Sequence, residues 1–158
     1  MDQSQFYTAR GYQMLSARKK LLTSSMEDYL EMIYRICSRD GYIRMTQLSE
    51  KLNVRPSSST KIVQKLSLLG IVDYERYGMV KLTEEGREIG KFLLQRHGIV
   101  EEFLKNLGIR DTLLKDTEML EHDMSIKTME RIHMLNHFFC DHPDILARFH
   151  RYTNEFRR

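Results

Sequence analysis

Residues 24–83 carry a succession of periodicities that few folds accommodate. SSMEDYLEMIYRICSRDG (24–41) places Tyr29, Ile33, Ile36 and Cys37 at helical spacing. Ser24 or Ser25 is the expected cap, and Gly41 the stop. TQLSEKLN (46–53) reads as a short helix capped by Thr46, with Leu48 and Leu52 inward. VRPSSSTKIVQKLSLLG (54–70) restarts with Pro56 in its first turn and stops at Gly70. IVDYERYGMVKLT (71–83) then switches to alternation around Tyr77-Gly78, the pattern of a hairpin. Helix, short helix, tight connection, helix and hairpin, in that order, make a winged helix-turn-helix.

The chain beyond residue 83 reads as helical throughout. Thr83 caps a long helix to about Gly108, whose stripe is Ile89, Leu93, His97, Val100 and Leu104. Further helices start near Asp111, Ser125 and Pro143. On the helix from Asp111, Leu113, Thr117, Leu120 and Met124 are expected inside, with Glu118, Glu121 and His122 on the flank. The expected fold is therefore mostly α with a small β-hairpin. It comprises an extension over 1–23, a winged helix-turn-helix domain over 24–83 and an all-helical dimerisation domain over 84–158. Met129, Ile132, Leu135 and Phe139 form the apolar row expected at the dimer interface. No apolar run approaches the roughly 20 residues of a membrane helix, and the first residues lack a secretory apolar block. Cys37 and Cys140 have no CxxC partner. Cytoplasmic location is the expectation, with no membrane partner.

Charge separates the two halves. Residues 41–82 hold seven Lys/Arg against three Asp/Glu, and residues 83–130 seven against eleven. A basic segment suits a polyanion and an acidic one suits cations. The helix after Pro56 has Ile62, Leu66 and Leu69 for its inner side. Ser57, Ser59, Thr60, Lys61, Gln64 and Lys65 are expected outward, as donors for phosphates and base edges in a major groove. Pro56 suits a thymine methyl. Arg76, Tyr77 and Lys81 at the hairpin suit the backbone or minor groove.

The acidic segment contains TEMLEHDM (117–124), where Glu118, Glu121 and His122 stand at i, i+3 and i+4. Asp28 and Glu31 form another i, i+3 pair, and His97 interrupts an apolar row. Four carboxylates with two imidazoles suit Mn²⁺ or Fe²⁺ better than a soft ion. Each part also has an ordinary reading: first-turn acids answer the helix dipole, and a histidine in an apolar row is often hydrogen-bonded core. No separate nucleophile–base arrangement points to an enzyme.

Together SMEDYLEMIY (25–34), RPSSSTKIVQKL (55–66, which adds Arg55 to the DNA-contact set), RH (96–97) and EMLEHDMS (118–125) resemble the diphtheria-toxin-repressor family of metal-activated transcription factors. The resemblance is greatest to its manganese-responsive members and runs from about Ser24 to the C-terminal helices. It implies a homodimeric repressor of double-stranded operator DNA, not an enzyme, with no organic substrate. It implies Asp28, Glu31, His97, Glu118, Glu121 and His122 as metal ligands, with two Mn²⁺ per subunit and manganese uptake genes as targets. Iron-responsive relatives carry softer methionine and cysteine at the positions of Asp28 and Glu118, and an SH3-like third domain that is not expected here. An iron-responsive repressor using Fe²⁺, or a winged-helix regulator sensing an organic ligand, are the competing readings. Arg10, Arg18, Lys19 and Lys20 leave the extension open as a DNA-tracking arm or as a disordered or dimer-packing tail.

Overall fold

The computed structural model describes residues 4–18 and 21–156, which form two compact units divided between Gln95 and Arg96. The elements are α1 (Ser4–Arg18), α2 (Ser24–Asp40), β1 (Ile43–Arg44), α3 (Met45–Lys51), α4 (Pro56–Leu68), β2 (Val72–Tyr74), β3 (Met79–Leu82), α5 (Glu84–Asn106), α6 (Leu113–Glu121), α7 (Ile126–Asp141) and α8 (Pro143–Phe156). Among the described residues no helix is long and apolar enough to cross a membrane.

In the first unit α2 starts one residue before the expected caps. Thr23 is the N-cap, and its hydroxyl accepts from the Met26 amide at 3.3 Å. Met26, Tyr29, Leu30, Ile33 and Cys37 are its buried face, with Ile36 half-buried. Burial pushes the Cys37 thiol up to about 11, so it stays protonated. The expected Thr46 cap is displaced too. Arg44 is the N-cap of α3, and its backbone amide donates to Gln47 Oε1 at 3.3 Å. Leu48 is fully buried. Helix α4 begins at Pro56, where a missing N–H costs nothing.

The hairpin is part of a three-stranded antiparallel sheet ordered β1-β3-β2, with Ile43 opposite Val80 and Val72 opposite Leu82. A two-residue strand is too short to show a period, which is why β1 escapes the sequence pattern. Tyr77 (φ 65°) and Gly78 (φ 74°) both take left-handed backbone at the hairpin tip. Thr83 closes the sheet onto α5. Its hydroxyl donates to the Gly70 and Ile71 carbonyls, both at 2.9 Å, and accepts from the Gly86 amide at 3.1 Å.

The extension carries a helix, α1, and belongs to this unit. Arg18 forms a fork with Glu85, and Arg10 lies 4.0 Å from Glu84. Both arginines thus face acids of α5. Lys19 and Lys20 lie outside the described residues.

The second unit holds the end of α5 with α6, α7 and α8. Val100 and Leu104 keep the expected apolar row of α5 buried. On α6 the buried residues are Thr117 and Glu121, whereas Leu120 is 44% exposed. The inner face is thus turned by one residue from the expected stripe. Ser125 caps α7 by accepting from the Thr128 amide at 3.2 Å. Asn136, buried at 2% exposure, donates to the Ile99 carbonyl at 2.9 Å and accepts from Asn106 Nδ2 at 3.1 Å. His150 of α8 lies 2.8 Å from the Asn106 carbonyl.

A Cβ on Gly86 would fall well inside van der Waals contact with the Ile71 carbonyl oxygen, a backbone atom that cannot swing aside. Gly86→Ala is expected to destabilise the first unit by about 3 kcal/mol. Urea unfolding followed by circular dichroism measures it.

Candidate metal centre and nucleic-acid interface

Helix α4 divides into two faces. Ser59, Val63 and Leu66 are buried, at i, i+4 and i+7. Val63 thus takes the central inner place expected of Ile62, which is half-buried. Ser59 leaves the DNA-contact set: it is fully buried, 2.9 Å from Ser49 Oγ and 3.1 Å from Tyr29 Oη. A hydroxyl enclosed by two others has no surface to offer a phosphate. Pro56, Ser57, Lys61, Gln64 and Lys65 are exposed, as is Arg55 just before the helix. Thr60 is half-exposed, and its hydroxyl donates to the Pro56 carbonyl at 2.9 Å. The exposed face therefore presents two ammoniums, an amide and a hydroxyl from one helix, the donors that phosphates and base edges accept.

At the hairpin tip Tyr77 is 92% exposed. The Arg76 side chain lies outside the described set. Lys81 reaches back to Glu75, with Nζ 2.8 Å from Oε1, and that bond raises its pKa. The lysine must exchange an intramolecular partner before it meets a phosphate.

The carboxylates fall in both units. Asp28 and Glu31 share a face of α2 in the first. The Glu31 carboxylate accepts from Arg35 Nη2 at 2.7 Å, one turn on. In the second unit, Glu121 is 1% exposed and lies 3.2 Å from His97 Nδ1. An imidazole N–H at that position donates to the carboxylate oxygen. Glu118 is exposed on α6, and His122 follows as the helix C-cap with helical backbone angles. Arg96, 5% exposed, places Nη2 3.3 Å from His122 Nδ1. A guanidinium has no acceptor, so the imidazole nitrogen accepts there. In the sequence Arg96 entered only through the RH pair of the family resemblance, without a role of its own, because an arginine beside a histidine sets no period.

The structure therefore joins His97 to Glu121 and sets His122 beside Arg96. A nearly inaccessible carboxylate against an imidazole is a hard oxygen–nitrogen donor set, which fits a divalent first-row cation.

Of the row expected at the dimer interface, Met129 is 2% exposed and packs inside its own chain. Ile132 and Phe139 are half-buried and Leu135 is 37% exposed. Met134 (55% exposed) and Phe138 (42% exposed) flank Leu135 on the outer face. Met129 and Asn136, seven residues apart, take the inner side of α7 and turn this face outward.

Comparison with known proteins gives two family matches. The N-terminal DNA-binding domain of iron-dependent repressors matches residues 21–80, and their metal binding and dimerisation domain matches residues 83–149. The chain is 40% identical over 127 residues to the HTH-type transcriptional regulator MntR of Lysinibacillus sphaericus, covering 80% of this chain and 91% of that one. It is 46% identical over 118 residues to the MntR of Shouchella clausii, covering 74% and 82%. The structure of the manganese regulator SloR superposes with a TM-score of 0.63 at 32% identity, covering 70% of this chain and 52% of that one. The chain thus spans about half the length of that solved protein.

Two substitutions on α4 separate its faces. Ser59→Ala should cost about 1–3 kcal/mol of stability by stranding its hydroxyl partners. Lys61→Ala should leave the melting temperature unchanged, weaken duplex DNA binding, and lower the salt dependence by about one unit of slope. Thermal melts and fluorescence anisotropy across a salt series read both.

Proposed function

The chain belongs to the iron-dependent repressor family, and we propose that it is a manganese-responsive repressor that binds operator DNA as a homodimer in the cytoplasm. Its targets on this reading are genes of metal homeostasis, manganese uptake above all. The names of its relatives support the metal and the regulatory role. The observation that carries the reading is the buried Glu121 carboxylate against His97. Burying a carboxylate is costly unless charge and hydrogen bonds answer it, and a bound cation beside the imidazole supplies such charge.

On this reading Asp28, Glu31, His97, Glu118, Glu121 and His122 hold two Mn²⁺ per subunit. The bound ions add positive charge among these carboxylates, of which Glu31 already meets Arg35. Oxygen donors at Asp28 and Glu118 favour manganese over softer ions. The ligands come from α2, which precedes the reading helix in the chain, and from α5 and the end of α6. Their joint occupancy favours the presentation of two α4 helices to half-sites one DNA turn apart. Linkage then requires operator DNA to tighten metal binding by the same factor. Arg55, Pro56, Ser57, Thr60, Lys61, Gln64 and Lys65 supply the DNA contacts, with Tyr77, Arg76 and Lys81 from the hairpin. Leu135, with Met134 and Phe138, meets the second copy.

Titrating DNA binding with Mn²⁺, Fe²⁺ and Zn²⁺ separately should give the strongest response with Mn²⁺. Replacing Glu118 and Glu121 together by Ala should abolish the manganese dependence while the chain still melts cooperatively. Manganese-dependent operator binding by that double variant would overturn the proposal.

A further inference from the structure

The helix α1 lies outside both family matches, the first of which begins at residue 21. It is nevertheless fitted closely to α5. Gly11 is buried, and a Cβ there would lie 2.5 Å from Phe92 Cβ and 2.8 Å from the Glu88 carbonyl oxygen. The two helices approach so closely that only glycine fits. Tyr12 packs edge-on against Phe92 with ring centroids 5.7 Å apart, and Leu15 is 6% exposed.

At the end of α1 one side chain joins three elements. Arg18 Nε and Nη2 donate to the two carboxylate oxygens of Glu85 at 2.6 and 2.8 Å. Its Nη1 donates to the Leu69 carbonyl at 2.9 Å. Leu69 is the C-cap of α4 and Glu85 stands in the first turn of α5. The last carbonyls of a helix have no donor within it. Thr83 serves the Gly70 and Ile71 carbonyls just beyond, and Arg18 serves Leu69. A cation there also suits the negative end of the helix dipole. The fork is bidentate, part-buried and directional, unlike a loose surface pair.

We propose that α1 is a brace for the DNA-reading helix and that Arg18 is its positioning residue. The guanidinium pins the end of α4 to the start of α5 and so fixes the angle at which α4 meets an operator. This rests on the reading of α4 as the helix that enters the major groove. A purely structural α1 would cover apolar surface on α5 and leave recognition alone.

The test compares Arg18→Ala with Leu15→Ala, which weakens α1 packing but keeps the Arg18 contacts; Arg18→Lys, with charge but no fork, stands in if Arg18→Ala fails to fold. The probe is a duplex selected from a random pool by the wild-type chain in saturating Mn²⁺. Anisotropy on this duplex and on a random duplex is measured below the melting temperature of every variant. Arg18→Ala should bind the selected duplex about tenfold more weakly, with random-duplex affinity unchanged. Leu15→Ala should melt lower yet keep its preference. Equal preference in Arg18→Ala and wild type, or equal loss in both variants, would overturn the brace. A wild-type chain that selects no duplex in Mn²⁺ would defeat the repressor reading itself, and the brace with it.

Discussion

A carboxylate with 1% exposure sets the terms for the second unit. Glu121 lies inside with Thr117, one turn before it, and the Thr117 hydroxyl donates to the Leu113 carbonyl at 2.8 Å. That choice of inner face turns Leu120 outward, although a leucine gains more from burial than a glutamate does. Helix α6 therefore does not pack by its best apolar stripe. It packs by the face that brings a carboxylate to His97. A chain selected for stability alone would bury the leucine.

The first unit repeats the device with hydroxyls. Ser59 lies at the centre of the inner face of α4, between Ser49 of α3 and Tyr29 of α2. Leucine at that position would bury more apolar area, but apolar contacts are non-directional. Hydrogen bonds from two other helices fix the rotation of α4 about its axis more narrowly than packing does. That rotation decides which side chains α4 presents to solvent. With Ser59 and Val63 inside, Lys61, Gln64 and Lys65 point outward together.

The same two positions mark how far the sequence can be read. Apolar periodicity located α2, α4, α5, the hairpin and the helices after it, because each has a stripe several turns or residues long. It erred by one residue at Ile62 against Val63 and at Leu120 against Glu121. Neighbours on a helix are 100° apart, and a stripe wider than that admits either. A polar residue broke the tie each time, through partners distant in the chain that no local pattern reveals. Caps slipped by one or two residues for the same reason: Ser24, Ser25 and Thr46 are all competent, and contacts elsewhere decide. Helix α1 was illegible because its docking depends on a glycine and one arginine fork. Neither raises helical periodicity, and glycine lowers propensity. The ligand candidates were legible as types and spacings. The burial of Glu121 and the presence of Arg96 beside His122 were not.

Helix α5 is held differently at its two ends. Its first turns are fixed from outside, by Arg18 on Glu85 and by Ile71, whose carbonyl excludes any side chain at Gly86. Its later residues supply His97 and the Ile99 carbonyl that Asn136 holds. Between these lies Gly98, and nothing stands within 4 Å of where its Cβ would be. Packing thus explains Gly86 but not Gly98. A glycine in an uncrowded helix position costs about 1 kcal/mol against alanine. That cost falls next to His97 and close to the division of the chain at Gln95 and Arg96. A propensity cost is therefore borne beside the imidazole that meets Glu121.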